Sequence, residues 1–204
     1  MFEALLPFEI EVFHWIASWA SPFWDVFFVT VTRLGSSGVL WIVLGLALLF
    51  PKRTRKIGLV VLGAVGVMII VNSVALKNLF GRPRPFMVEV DWWIEAFNSP
   101  GLISYPSSLS FPSGHAASAF AGSVAFLLGA RKWGDSKRMQ GIAIACIGLA
   151  GLIAFSRLYL GVHYLTDIVV GALVGTGCAF LTTLAMRIVE PQIEKFKFLG
   201  PLLR

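Results

Sequence analysis

The sequence predicts an all-α integral membrane bundle of about six transmembrane helices, and three observations carry that prediction. Only 14% of the 204 residues are charged and 57% are hydrophobic, whereas an ordinary soluble domain carries about 25% charged residues. The charges also leave long stretches empty: residues 57–76, 139–156 and 168–186 contain none. A helix rises about 1.5 Å per residue, so roughly 20 apolar residues cross a hydrocarbon core of about 30 Å. One such run fits the core of a soluble protein, but several in so short a chain do not. Finally, lysine and arginine gather in short clusters between the runs, as in the loops of membrane proteins.

In chain order, Met1-Phe2-Glu3-Ala4 has no basic region and no small-residue cleavage site, so no removable signal peptide is expected. A first crossing is expected within residues 5–33, which also hold Glu9, Glu11, His14, Pro22 and Asp25. It is either one kinked helix or a short span, 5–20, followed by an amphipathic helix in the interface. Further spans are expected at 34–50, 57–76, 114–130, 139–156 and 166–186, which makes six. No internal repeat or separate soluble domain is evident, and residues 1–204 read as one domain.

Orientation follows from the loops. Lys52, Arg53, Arg55 and Lys56 fill one; Arg131, Lys132, Lys137 and Arg138 fill another; Arg187, Lys195, Lys197 and Arg204 follow the last span. Even numbers of spans separate the three, so one orientation keeps all of them cytoplasmic. With six spans both termini are then cytoplasmic, and residues 77–111 and 157–163 face the extracytoplasmic side of a cell membrane. The net charge of +6 thus fits topology, and no nucleic acid partner is expected. The long outer loop, 86–111, contains Trp92, Trp93, Phe97, Pro100 and Pro106. It reads as an interfacial aromatic belt or, alternatively, as a lid over a lipid's path. Cys146 and Cys178 lie in apolar runs and read as packing residues.

Polar groups at membrane depth are costly and tend to mark function. Three clusters fall at the outer ends of spans. The first is Lys77-Asn78-Leu79-Phe80-Gly81-Arg82-Pro83-Arg84-Pro85, with three cations on the side where positive charge is not expected. The second is Phe111-Pro112-Ser113-Gly114-His115, which opens a span. A helix N-terminus presents unpaired N–H groups and a positive dipole to an anion, and Ser113 and Gly114 are expected to donate backbone hydrogen bonds there. The third runs from Ser156-Arg157 through His163 to Asp167. If both are helical, a spacing of four puts His163 and Asp167 on one face, where a carboxylate on one imidazole nitrogen makes the other a better nucleophile. Lys77, Arg84 and Arg157 supply positive charge, and the two histidines a nucleophile and a proton donor, which are the parts of phosphoryl transfer. A metal centre fits less well: Asp167 is the one carboxylate in these clusters, with no His-Glu-x-x-His and no paired carboxylates.

These three clusters resemble the signature of the type 2 phosphatidic acid phosphatase superfamily, in its membrane branch. The matching residues are Lys77…Arg84-Pro85, then Pro112-Ser113-Gly114-His115, then Ser156-Arg157…His163…Asp167. The resemblance implies that His163 attacks phosphorus and forms a phosphohistidine, oriented by Asp167. His115 protonates the leaving oxygen and then activates water. Lys77, Arg84, Ser113, Gly114 and Arg157 hold the phosphate oxygens, and neither metal nor other cofactor is needed. Small size and plain architecture resemble the bacterial phosphatidylglycerophosphatase B-like group. The implied substrate is phosphatidylglycerol phosphate first, undecaprenyl diphosphate second, with phosphatidic acid a further candidate. Membrane lipids are the expected surroundings, and no obligate protein partner is expected. A non-catalytic phosphate-lipid binder or transporter is the competing reading; it leaves the His163–Asp167 spacing unexplained.

Overall fold

Alanine, glycine and serine dominate the stretch that follows His115, and that composition suits the centre of a membrane bundle. The computed structural model of the protein describes residues 2–88, 103–104, 106–134, 136–193 and 195. Among these the chain forms nine α-helices: α1 Leu6–Ala17, α2 Pro22–Leu34, α3 Val39–Leu49, α4 Arg55–Ile69, α5 Lys77–Phe80, α6 Pro85–Val88, α7 Gly114–Trp133, α8 Lys137–Tyr159 and α9 Leu165–Ile193. A π-helical stretch, Ile70–Leu76, joins α4 to α5 without a break. Helix α7 is central: it packs against α9, α8 and α4, and α4 packs in turn against α3 and α9.

Lipid tails are as apolar as leucine, so helices in a bilayer associate mainly by close packing of small residues. Helix α7 buries Ala116, Ala117, Ala119, Ala121, Gly122 and Ala125. Gly171 and Gly175, one turn apart on α9, lie directly on its backbone. A Cβ on Gly175 would stand 2.1 Å from the Ala117 carbonyl oxygen, and one on Gly171 would stand 2.6 Å from that of Ser113. Gly175→Val is therefore expected to pry α9 from α7, lowering the melting temperature in detergent and any activity together. Gly177→Ala, where an added Cβ meets nothing within 4 Å, is expected to leave both unchanged. Equal behaviour of the two variants would contradict the packing argument.

The two ends of α7 differ in chemistry. At its N-terminus the Ser113 N–H donates to the Asp167 carbonyl at 2.9 Å, which ties α7 to the start of α9. At its C-terminus Trp133 donates through Nε1 to Glu190 at 2.9 Å, and Glu190 pairs with Lys56. The motif residues thus collect at one end and the basic loops at the other. The twenty residues of α7 separate these ends by about 30 Å.

By length and composition Lys52–Val88, Lys137–Tyr159 and Leu165–Ile193 each suffice to cross a membrane, and α2 with α3 forms a fourth, bent by 47°. The bend falls at Ser36–Gly38, where Gly38 has φ 71°, so the helix expected at 34–50 begins only at Val39. The N-terminal part, whose course the sequence left open between two arrangements, forms two separate helices, α1 and α2. Phe2, ahead of α1, packs on Phe80 and Phe111. Trp19, just past α1, packs on Phe155 and Tyr159. Both sets lie toward the motif end, so α1 runs along that end and does not continue to the basic end. Phe2 thus lies toward the motif end and Glu190 toward the basic end, and α1 turns its carboxylate Glu9 inward to a buried partner. Trp92, Trp93, Phe97 and Pro100 of the outer loop, and Lys197 and Arg204, lie outside the described residues.

Candidate active site

Each of the three clusters reaches the site by a different local device. Gly81, with φ 59°, ends α5, and Pro83 and Pro85 keep Arg82 to Arg84 out of a helix. Arg82 and Arg84, on either side of Pro83, have different partners: Arg82 reaches Glu9 and Asp167, and Arg84 reaches Ser108 and Val162. Ser113 caps α7, its hydroxyl accepting from the Ala116 N–H at 3.5 Å, and this sets His115 in the first turn. Gly161, with φ 62°, turns the chain between α8 and α9, which places His163 just ahead of Asp167 in the first turn of α9.

Arg84 is the hub. It donates through Nε to the Ser108 carbonyl at 2.6 Å and through a terminal nitrogen to the Val162 carbonyl at 2.8 Å. The same nitrogen lies 3.2 Å from His163 Nε2. Lys77 is placed beside it, donating to the Leu109 carbonyl at 2.9 Å. A guanidinium has only donors, so His163 Nε2 is the acceptor and carries the lone pair. The ring proton then sits on Nδ1, 3.3 Å from Asp167 Oδ2. Burial pushes the His163 imidazole down to about 4; the hydrogen bond to Asp167 opposes this, while Arg84 and Arg157 add to it. His163 is thus neutral near pH 7, with Nε2 unprotonated among cations.

Asp167 is completely buried and fully engaged. Its Oδ1 accepts from Arg82 at 2.8 Å, and its Oδ2 accepts from the Tyr164 N–H at 3.0 Å and from the Ser110 hydroxyl. Arg82 lies between the rings of Phe2 and Tyr164, at 4.3 and 3.8 Å from their centroids. Its other terminal nitrogen pairs with Glu9, which also accepts from the Thr166 N–H at 3.1 Å. Glu9, Arg82, Asp167 and His163 thus form one buried chain of alternating roles, with Thr166 bracing its outer end. Charges at this depth persist only when paired and hydrogen-bonded.

The structure brings Lys77, Arg84, Arg157, His115, His163 and Asp167 to one place. His115 is half-buried, within electrostatic reach of Arg157, His163, Arg84 and Lys77. Arg157 is buried and held by the Thr32 hydroxyl at 2.7 Å, while its Nε has no partner among the described residues. One expectation needs correction. The Ser113 N–H is committed to the Asp167 carbonyl, so its backbone donor is taken, while its hydroxyl accepts from the Ala116 N–H and keeps its own proton to donate. Sequence reasoning missed Glu9, Ser110, Thr32 and Thr166, and gave Arg82 no part. A carboxylate in an apolar N-terminal helix was the available signal for Glu9, but nothing in the sequence names a partner 73 positions away.

Comparison with known proteins agrees with this arrangement. The model of the PAP2 superfamily matches residues 56–190, more than half of the chain and all three clusters. An undecaprenyl-diphosphatase of Sulfolobus acidocaldarius is 31% identical over 181 residues, covering 88% of this chain and 79% of that protein. Phosphatidylglycerophosphatase B of Bacillus subtilis is 30% identical over 172 residues, covering 82% and 75%. The crystal structure of a transmembrane PAP2-type phosphatidylglycerolphosphate phosphatase from Bacillus subtilis superposes with a TM-score of 0.70 at 26% identity, over 95% of this chain and 90% of that one. The paired His163 and Asp167, the cations around them and these matches converge: the chain belongs to the PAP2 superfamily, as a lipid phosphate phosphatase of its membrane-embedded branch.

Proposed function

We propose that this protein hydrolyses the terminal phosphate of phosphatidylglycerol phosphate through a phosphohistidine on His163, without a metal, on the extracytoplasmic side of the membrane. The observation that carries the chemistry is the tautomer: Arg84 on Nε2 and Asp167 on Nδ1 leave Nε2 with the lone pair. When a phosphate arrives, its oxygens take the N–H groups of Lys77, Arg84 and Arg157, and Nε2 is released toward phosphorus. The Nε2–P bond forms as the bond from phosphorus to the lipid oxygen breaks, and His115 gives that oxygen its proton. Water then attacks phosphorus, His115 takes a proton from it, and the P–N bond breaks to return His163 and free phosphate. Permanent guanidinium and ammonium charge stabilises the equatorial oxygens in both steps.

The placement in the membrane rests on charge. The site and the basic loops lie at opposite ends of α7, and the end rich in lysine and arginine is the cytoplasmic one by the positive-inside tendency. A lipid's tail also has somewhere to lie. A groove of about 400 Å³ opens between α7, α8 and α9, lined by Phe120, Phe155, Leu158, Leu165, Ile168 and Leu173 among others. Leu158 adjoins Arg157, and Ile168 adjoins Asp167. The close superposition on the Bacillus subtilis phosphatase favours phosphatidylglycerol phosphate. The identity with the Sulfolobus acidocaldarius relative favours undecaprenyl diphosphate as a second reading.

Phosphate release by the purified protein, across a panel of lipid phosphates with chelator present, tests this reading. The expected result is undiminished release in chelator, inhibition by vanadate, and fastest turnover of phosphatidylglycerol phosphate. Faster turnover of undecaprenyl diphosphate would select the second substrate. Activity lost in chelator and restored by a divalent ion would overturn the metal-free mechanism.

A further inference from the structure

The mechanism above leaves one buried polar side chain without a part. Asn72 lies beside Ser73 in a long uncharged, mostly apolar run and is 0% exposed. Neither its Nδ2 nor its Oδ1 has a hydrogen-bond partner among the described residues. An unpaired buried amide costs about 1–3 kcal/mol, and within a membrane protein no bulk water offsets that cost. An alkyl side chain there would carry no such cost, so the amide is kept for something it meets.

Its position says what that is. Asn72 sits in the π-helical stretch, and the backbone N–H of Lys77 donates to its carbonyl. One turn of chain therefore presents both the amide and the ammonium. Irregular π turns of this kind are frequent at functional sites. Asn72 Nδ2 lies 3.8 Å from where a Cβ on Gly114 would stand, and among the described residues no other atom outside the neighbouring turn of α7 comes within 4 Å of that point. The amide thus faces the open side of Gly114, at the N-terminus of α7, beside the residue that precedes His115. A helix N-terminus favours an anion, and an unpaired donor is aimed at it.

We propose that Asn72 is a further substrate-contacting residue of the phosphoryl site. Its Nδ2–H donates to a phosphoryl oxygen seated at the N-terminus of α7. Its Oδ1 accepts from the O–H group on the His115 side, first the protonated leaving oxygen of the lipid and then the attacking water. An amide supplies that donor and acceptor together, which a lysine or an arginine does not. This inference rests on the phosphatase reading above.

The test sets Asn72→Ala and Asn72→Leu beside the unaltered protein and His163→Ala. Hydrolysis of lipid phosphate, inhibition by vanadate and thermal unfolding are followed in one detergent. Asn72→Ala is expected to lose about 10²-fold in kcat/KM, as for other lost transition-state donors, and to bind vanadate at least about tenfold more weakly. Asn72→Leu, which fills the volume, is expected to melt no lower than the unaltered protein, because it removes an unsatisfied amide. Activity of Asn72→Ala within twofold of the unaltered protein would overturn the inference. So would a marked drop in the melting temperature of Asn72→Leu, which would make the amide a structural group satisfied by buried water. Absence of turnover in the unaltered protein would instead overturn the phosphatase reading, and this inference with it.

Discussion

His163→Ala is expected to lose roughly 10⁴-fold or more in turnover, the scale seen when a nucleophile is removed from a site that otherwise stays intact. The loss is chemical, because the groups that hold phosphate are independent of the imidazole. Lys77 is fixed by the Leu109 carbonyl, Arg157 by Thr32, and Arg84 by Ser108 and Val162. Arg84 loses one contact of several when the ring goes. Binding of a lipid phosphate, measured directly on the variant, is therefore expected to survive while hydrolysis vanishes. That pattern separates an enzyme from a phosphate-lipid binder or transporter, for which the substitution changes little. Turnover retained by His163→Ala, or binding lost in parallel with it, would count against the assignment of the nucleophile.

Arg82→Gln is expected to be the most damaging substitution outside the reacting groups. Arg82 is the cation between two buried carboxylates, Glu9 and Asp167. Removing it breaks the direct ion pair of each carboxylate with a guanidinium, and breaking such a buried pair typically costs about 3–5 kcal/mol. Asp167 also loses a fixed donor, so His163 loses its orientation. Glu9→Gln is expected to be milder, because Arg82 then still serves Asp167 and the amide still accepts from Thr166. Residues in one network do not behave additively. The double variant is therefore expected to lose less stability than the sum of the two single changes. Thermal unfolding in detergent together with steady-state hydrolysis checks this. Equal effects of Arg82→Gln and Glu9→Gln, or full additivity, would contradict the chain of roles from Glu9 to His163.

Most of the candidate site was legible in the sequence because its parts are close together along the chain. His163 and Asp167 are four apart, although His163 lies just ahead of α9 and only Asp167 is in its first turn, Ser113-Gly114-His115 opens a helix, and the cations cluster at the ends of apolar runs. What supports those groups was hidden. Glu9 and Arg82 meet only because α1 lies along the motif end, and no periodicity links residues so far apart in sequence. Asn72 and Ser73 are two polar letters in an apolar run, where hydropathy averages them away. Ser113 looked like a backbone donor for phosphate, but the close approach allowed by Gly171 and Gly175 brings the Asp167 carbonyl to that N–H first. The course of residues 5–33 stayed open between two arrangements for a related reason: apolar composition suits a helix lying along the end of a bundle as well as one that crosses it.

The central claim is that His163 carries the phosphoryl group, and trapping that group tests it most directly. His115→Ala, given a phosphate ester whose leaving group needs no proton, is expected to complete the first step and stall before the second. Alkaline quenching, which preserves phosphohistidine, followed by mass spectrometry of the peptide containing His163, is expected to find one phosphoryl group on that residue. The same peptide from unreacted protein is expected to carry none. A phosphoryl group on another residue, or turnover of the ester with none ever found on His163, would contradict the account.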